Sequence, residues 1–211
     1  MMVQLFIVGR FSTNCYVVGC EHTKEAIIID PGFDDRFEAE RICKFIDENA
    51  LILKFVVNTH GHPDHTCGNG IVKERFNVPI LIHGYDAHLL RKASNKIAEF
   101  FSFKNSSPPA DMLLHNEDLV KFGKTILKVI HTPGHSRGSV SLLGEKEVFT
   151  GDTLFAGSIG RMDFPESSEL DMKLSLRKLV NLPDHFVVYP GHGPATTIGE
   201  EKRGNPFLQR L

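Results

Sequence analysis

The sequence predicts one α/β domain over residues 1–211. Two observations carry that expectation. Short runs of β-branched and aromatic residues alternate with segments whose apolar residues recur at helical spacing, as in helices laid over sheets. The length of 211 residues suits a single sizeable core, and no repeat, low-complexity tract or linker divides it.

The elements follow in order. Strands are expected at 2–8, 15–19 and 25–30. A helix should follow Asp34-Asp35, where Ala39, Ile42, Cys43 and Ile46 recur at helical spacing. Phe55-Val56-Val57 marks a buried strand at 54–58, and a second helix falls within Asp64 to Phe76. A strand at 79–82 comes next. Ile97, Phe100 and Phe101 then recur at helical spacing and lead into Phe103 and Ser106-Ser107-Pro108-Pro109. That stripe reads as core, with a pocket wall as the alternative. Strands at 125–131, 140–144 and 147–150 precede a helix after Glu169, with Met172, Leu176, Leu179 and Val180 on one face. The last strand is expected at 186–189.

Composition narrows the class. Basic residues number 24 against 26 acidic ones, with no basic stripe, which argues against a nucleic-acid grip. No apolar run approaches the roughly 20 residues of a membrane span. The cysteines, at 15, 20, 43 and 67, form no C-x-x-C pair, and the apolar start Val3 to Val8 is too short for a secretory leader. A reduced cytoplasmic protein is expected.

Chemistry concentrates in Thr59-His60-Gly61-His62-Pro63-Asp64-His65. Imidazole and carboxylate are the ligands that suit zinc, iron and manganese. A core could not hold so many polar rings without a partner for each. Gly61 and Pro63 force a loop after the strand. His60 and His62 share a side of an extended backbone, while Asp64 and His65 lie beyond the proline. One segment can therefore serve two adjacent metals. Further candidates stand at the ends of other apolar runs. His135 lies in a Thr-Pro-Gly-His turn, Asp152 follows Val148 to Gly151, and His192 follows Phe186 to Gly191. Cys67, two residues beyond His65, reads as a buried helix cysteine, since no Cys–His pair is evident.

These motifs resemble the metallo-β-lactamase superfamily, and within it the glyoxalase II (hydroxyacylglutathione hydrolase) branch. The resemblance rests on Thr-His-x-His-x-Asp-His at 59–65, Pro-Gly-His at 133–135, Gly-Asp-Thr-Leu-Phe at 151–155, Gly-Ser-Ile-Gly-Arg at 157–161 and Pro-Gly-His-Gly at 190–193. It extends from Asn14-Cys15-Tyr16 through Asn205 to Leu208. It implies a four-layer αβ/βα sandwich, two mixed β-sheets flanked by helices. It implies two divalent metal ions per chain, zinc first, with iron or manganese as alternatives. His60, His62 and His135 would bind one; Asp64, His65 and His192 the other; Asp152 would bridge them. Asp30 would lie beneath the site. Asp64 and Asp152 would position a metal-held hydroxide, and Arg161 would meet a glutathione carboxylate.

The implied activity is hydrolysis of a small thioester, S-lactoylglutathione in the family. The alternatives are a mononuclear iron persulfide dioxygenase on the same scaffold, and a hydrolase of another ester or lactone. Two departures bear on glutathione. The chain ends at Leu211, short of the helical extension of full-length glyoxalase II, and Asp163 stands where the family often has tyrosine.

Overall fold

The computed structural model describes residues 1–91, 103 and 106–211. Ile97, Phe100 and Phe101 lie outside them. The first sheet runs in chain order: β1 (Met2–Val8), β2 (Thr13–Gly19), β3 (Glu25–Ile29), β4 (Ile52–Val57), β5 (Ile80–His83) and β6 (Met112–Leu114). Its first three strands are antiparallel, and β3 to β6 are parallel. The second sheet has the order β14 (Thr196–Thr197), β13 (Val187–Pro190), β10 (Glu147–Gly151), β9 (Val140–Leu143), β8 (Thr125–His131), β7 (Leu119–Phe122). Only β10 and β13 pair in parallel there. A small hairpin joins β11 (Leu154–Phe155) to β12 (Ser158–Ile159).

Period-two alternation sorts the side chains into three cores. In β3, Ala26 and Ile28 point outward to meet Ala39, Ile42 and Ile46 of α1 (Arg36–Glu48) and Val72 of α3 (Asn69–Phe76). Ile27 and Ile29 point the other way, into a core shared with Val120, Phe122, Leu127, Val129, Val140 and Leu142 of the second sheet. On that sheet's outer face, Val148 and Val188 pack with Met172, Leu176 and Leu179 of α4 (Glu169–Val180) and Ile198 of α5 (Ile198–Gly204). Helix, sheet, sheet, helix: this is the four-layer sandwich. Among the described residues no helix is long and apolar enough to cross a membrane.

Local chemistry sets the helix starts. Asp35 and Ser168 cap α1 and α4 by accepting the backbone N–H three residues on, and Thr197 forms a reciprocal capping box with Glu200 at α5. The helix expected within 64–76 is two helices, α2 (Pro63–Thr66) and α3. Gly68 stands between them. A Cβ there would lie 2.5 Å from the Pro31 carbonyl oxygen and from the Phe33 ring, so this crossing requires glycine. The strands β6, β7, β11, β12 and β14 were not anticipated. Each has two to four residues, too few for a periodic signal.

Candidate metal centre

The seven residues expected as ligands come together at one edge of the sandwich. His60 to His65 follow β4, His135 follows β8, Asp152 follows β10 and His192 follows β13. Each strand is held by its ladder on both sides, so the turn that leaves it is positioned by the sheet.

Each histidine gives one ring nitrogen to a fixed protein group and turns the other inward. His60 Nδ1 donates to Thr59 Oγ1 at 3.1 Å, while that hydroxyl donates to Asp30 at 2.6 Å. His65 Nδ1 donates to Asp30 Oδ2 at 2.9 Å, His135 Nδ1 to the Arg161 carbonyl at 2.8 Å, and His192 Nδ1 to the Phe11 carbonyl at 3.1 Å. His62 is reversed: its Nε2 faces Glu166 Oε1 at 3.2 Å, and its Nδ1 points inward. Such outer partners fix tautomer and ring orientation in metal sites.

The inward atoms form three sets, each with ligand atoms within 4.8 Å of one another: His60, His62 and His135; Asp64, His65 and His192; and His60, His65 and Asp152. The inward nitrogens of His62 and His135 lie 2.8 Å apart, and those of His65 and His192 lie 3.2 Å apart. Lone pairs that close need a proton or a cation between them. Asp152 stands between the groups, with Oδ1 3.4 Å from His65 Nε2 and Oδ2 3.5 Å from the Nε2 atoms of both His135 and His192. His60 Nε2 and Asp152 Oδ1 are buried with no hydrogen-bond partner. Buried polar atoms are rarely left so, and a divalent cation satisfies both. The donor set therefore fits metal.

Electrostatics point the same way. Burial drives the His60 imidazole well below its ordinary pKa, and the rings of His65, His62 and His135 add to this, so it offers a lone pair. Burial also opposes charge on His65, but the carboxylates of Asp152, Asp64 and Asp30 outweigh it and raise that ring to about 10. Burial pushes Asp64 up, yet His65 and His192 prevail and hold the carboxyl below its usual range. A cation would displace the His65 proton and meet the ionised carboxylate of Asp64.

Close approach is built in at Gly191. A Cβ there would lie 2.2 Å from Asp152 Oδ1 and 2.8 Å from His65 Cε1. The turn carrying His192 is clamped by the second strand. Asn14 donates from its backbone to the Gly191 carbonyl at 2.7 Å and from its amide to the carbonyls of Pro190 and Gly193 at 2.9 and 2.8 Å. Tyr16 O–H donates to Pro190 at 2.7 Å.

Asp30 is buried and also accepts from Thr59 N–H at 2.8 Å. Arg161 lies at the rim, in a two-point ion pair with Asp163 at 2.6 Å for each contact. Cys67 is buried, and burial, followed by Asp34 and Asp64, raises its thiol, so it is no ready nucleophile.

Two participants escaped the sequence reading. Buried Asp86 accepts from Gly61 N–H, Ser136 Oγ–H and Gly138 N–H at 2.9, 2.6 and 2.7 Å, tying the 60–65 loop to the His135 turn. Glu166 is held ionised chiefly by its bond to His62, against the pull of burial. Glu166→Ala is expected to weaken metal retention about tenfold or more, as for other lost outer partners of metal ligands. Chelator competition followed by metal analysis measures this. Unchanged retention would show that His62 needs no such partner.

The comparisons with known proteins agree with this fold. The family model described as the metallo-beta-lactamase superfamily matches residues 8–192. A Haemophilus influenzae protein named hydroxyacylglutathione hydrolase GloC is 37% identical over 213 residues, covering 99% of this chain and 98% of its own. The crystal structure of BLEG-1 B3 metallo-beta-lactamase superposes with a TM-score of 0.90 at 36% identity, covering 98% of this chain and 99% of that one. TTHA1623, solved in a di-iron-bound form, has a TM-score of 0.84 at 32% identity, covering 99% of this chain and all of its own. The chain belongs to the metallo-β-lactamase superfamily. Its relatives include metallo-hydrolases, and its His/Asp cluster is suited to divalent metal.

Proposed function

We propose that this chain is a metal-dependent hydrolase of small thioesters, of the hydroxyacylglutathione hydrolase type. The observation that carries the reading is the pair of three-residue ligand sets with Asp152 between them, five of whose seven residues line a cleft of about 480 Å³. The similarity to GloC supports the thioester. His60, His62 and His135 would hold one metal, Asp64, His65 and His192 the other, and Asp152 both. The di-iron form of TTHA1623 supports that count, with zinc first and manganese or iron as alternatives.

Metals held there would acidify water to a nucleophile at neutral pH and polarise the thioester carbonyl. The chain's own groups do the rest. Asp30 and Glu166 keep His65 and His62 in register. The Asp64 and Asp152 carboxylates face the cleft and would orient the attacking water there. A thiolate leaves readily, so no serine or cysteine nucleophile is needed. At the rim, Arg161 is the group a glutathione carboxylate would meet, in competition with Asp163. The four free cysteines suit a reducing cytoplasm.

Protein loaded with zinc or manganese is expected to hold about two metals per chain, the number a two-metal hydrolase requires. It is expected to turn over members of a thioester panel that includes S-lactoylglutathione. Elemental analysis at one metal, with His65 and His192 dispensable for activity, would favour the iron dioxygenase. A β-lactam belongs in the panel because of the similarity to BLEG-1. If it were hydrolysed and every thioester spared, the thioester reading would fail.

A further inference from the structure

We propose that the substrate carries an apolar, ring-sized group, which packs against the phenylalanine walls of this cleft while the thioester lies over the metal ligands. The proposal rests on the thioester-hydrolase reading and names the substrate class for that site. Apart from the ligands, the cleft is lined by Phe11, Phe103, Phe155, Phe164 and Ile159, with Ser158 and Arg161.

The rings sit around the ligands on separate sides. Phe155 stands 6.1 Å from His192, edge-on, beside one ligand set. Phe164 stands 5.0 Å from His62 and 5.8 Å from His135, beside the other. Phe11 and Phe103 face each other at 6.0 Å with a 34° tilt. Phe103 is buried and Phe11 is 39% exposed. A cleft of about 480 Å³ is within the usual range for small-molecule sites, whose walls are mainly apolar.

The described cations beside the cleft are already engaged by carboxylates. Glutathione brings two carboxylates and an ammonium. Among the described residues lining the cleft, the one Lys or Arg is Arg161. It is held by Asp163 through two contacts, with its guanidinium 4.6 Å over the Phe164 ring. Glu166, on the same loop, adds a further negative charge beside His62. Arg10 stands beside the cleft as well, 5.0 Å over the Phe103 ring and 3.6 Å from Asp34. A carboxylate arriving at Arg161 must displace Asp163, and one arriving at Arg10 must compete with Asp34. An apolar ring must displace only water, and burying one is worth about 10- to 100-fold in kcat/KM.

Two matched thioester series test this on metal-loaded protein. One varies the acyl group (acetyl, lactoyl, phenylacetyl) on N-acetylcysteamine. The other varies the thiol (N-acetylcysteamine, glutathione, benzyl mercaptan) on a lactoyl group. The expected result is at least about a tenfold higher kcat/KM for the ring-bearing member of one series, which also identifies the side of the thioester that enters the cleft. In Phe155→Ala and Phe164→Ala that ratio should fall toward one, and in the leucine variants it should fall only part way. Non-hydrolysable benzyl and ethyl thioethers, compared by calorimetry, give the same preference without catalysis. Turnover of all members with no ring preference, or S-lactoylglutathione exceeding every ring-bearing compound, overturns the proposal and leaves the hydrolase reading standing. No thioester turnover, with the thioether preference retained, overturns the hydrolase reading and leaves the apolar site standing.

Discussion

Asp152→Ala is expected to abolish nearly all activity and to lower the metal content of the purified protein. Removing an outer partner of a metal ligand costs about 10- to 100-fold, and Asp152 would be a direct ligand, so kcat/KM should fall by more than that. The folded state should suffer less than from losing a hydrogen-bonded carboxylate, although buried His65 loses one of the three carboxylates that favour its protonated form. Asp152 Oδ1 has no hydrogen-bond partner within the protein, so its removal orphans no donor on that side. The chelator-treated variant is therefore expected to melt below the wild type, but by less than Asp30→Ala does. The measurement pairs elemental analysis with steady-state kinetics. An active, fully loaded Asp152→Ala protein would remove Asp152 from the centre.

Asp30→Ala has the opposite signature, because it attacks the scaffold beneath the ligands. One buried carboxylate accepts from Thr59 N–H, Thr59 O–H and His65 Nδ1–H. Its loss leaves three buried donors unsatisfied, at about 1–3 kcal/mol each before relaxation. A destabilisation of about 3–5 kcal/mol is expected in metal-free protein, read as a lower urea midpoint with an unchanged slope. Asp30→Asn keeps one acceptor oxygen and should lose less. Metal retention by His65, Asp64 and His192 should fall in both variants. A midpoint that does not move in the alanine variant would mean that Thr59 and His65 find other acceptors.

The two substitutions touch residues that were legible to different degrees. Asp152 and the six other expected ligands could be read because each follows an apolar strand and sits in a turn marked by glycine or proline, a signal local in sequence. Asp30 needed the resemblance, since a carboxylate after Ile27-Ile28-Ile29 looks like any turn residue. Asp86 and Glu166 had no local signal at all. Asp86 meets Gly61 across 25 positions and Glu166 meets His62 across 104, so only the closed fold brings them together. The same division holds for the elements. The long apolar strands and the helices α1 and α4 were visible in their periodicity. The edge strand β7, with Lys121 between two buried residues, and the break at Gly68 depend on partners distant in the chain.

The clamp of Asn14 and Tyr16 on the His192 turn carries a consequence for how the protein is made. A chain emerges from the ribosome with its N-terminal end first. The second strand is then available before the turn it must grip, which comes 176 residues after Asn14. His60, His62 and His135 are all released well before that turn, so an early nascent chain can offer only one complete histidine set. The other waits for His192 to fold back onto β2. If both sets bind metal, full uptake would report that translation has passed His192 and that the His192 turn has met β2. Metal added to stalled chains of increasing length should bind in two steps, the second appearing once residue 193 has cleared the exit tunnel.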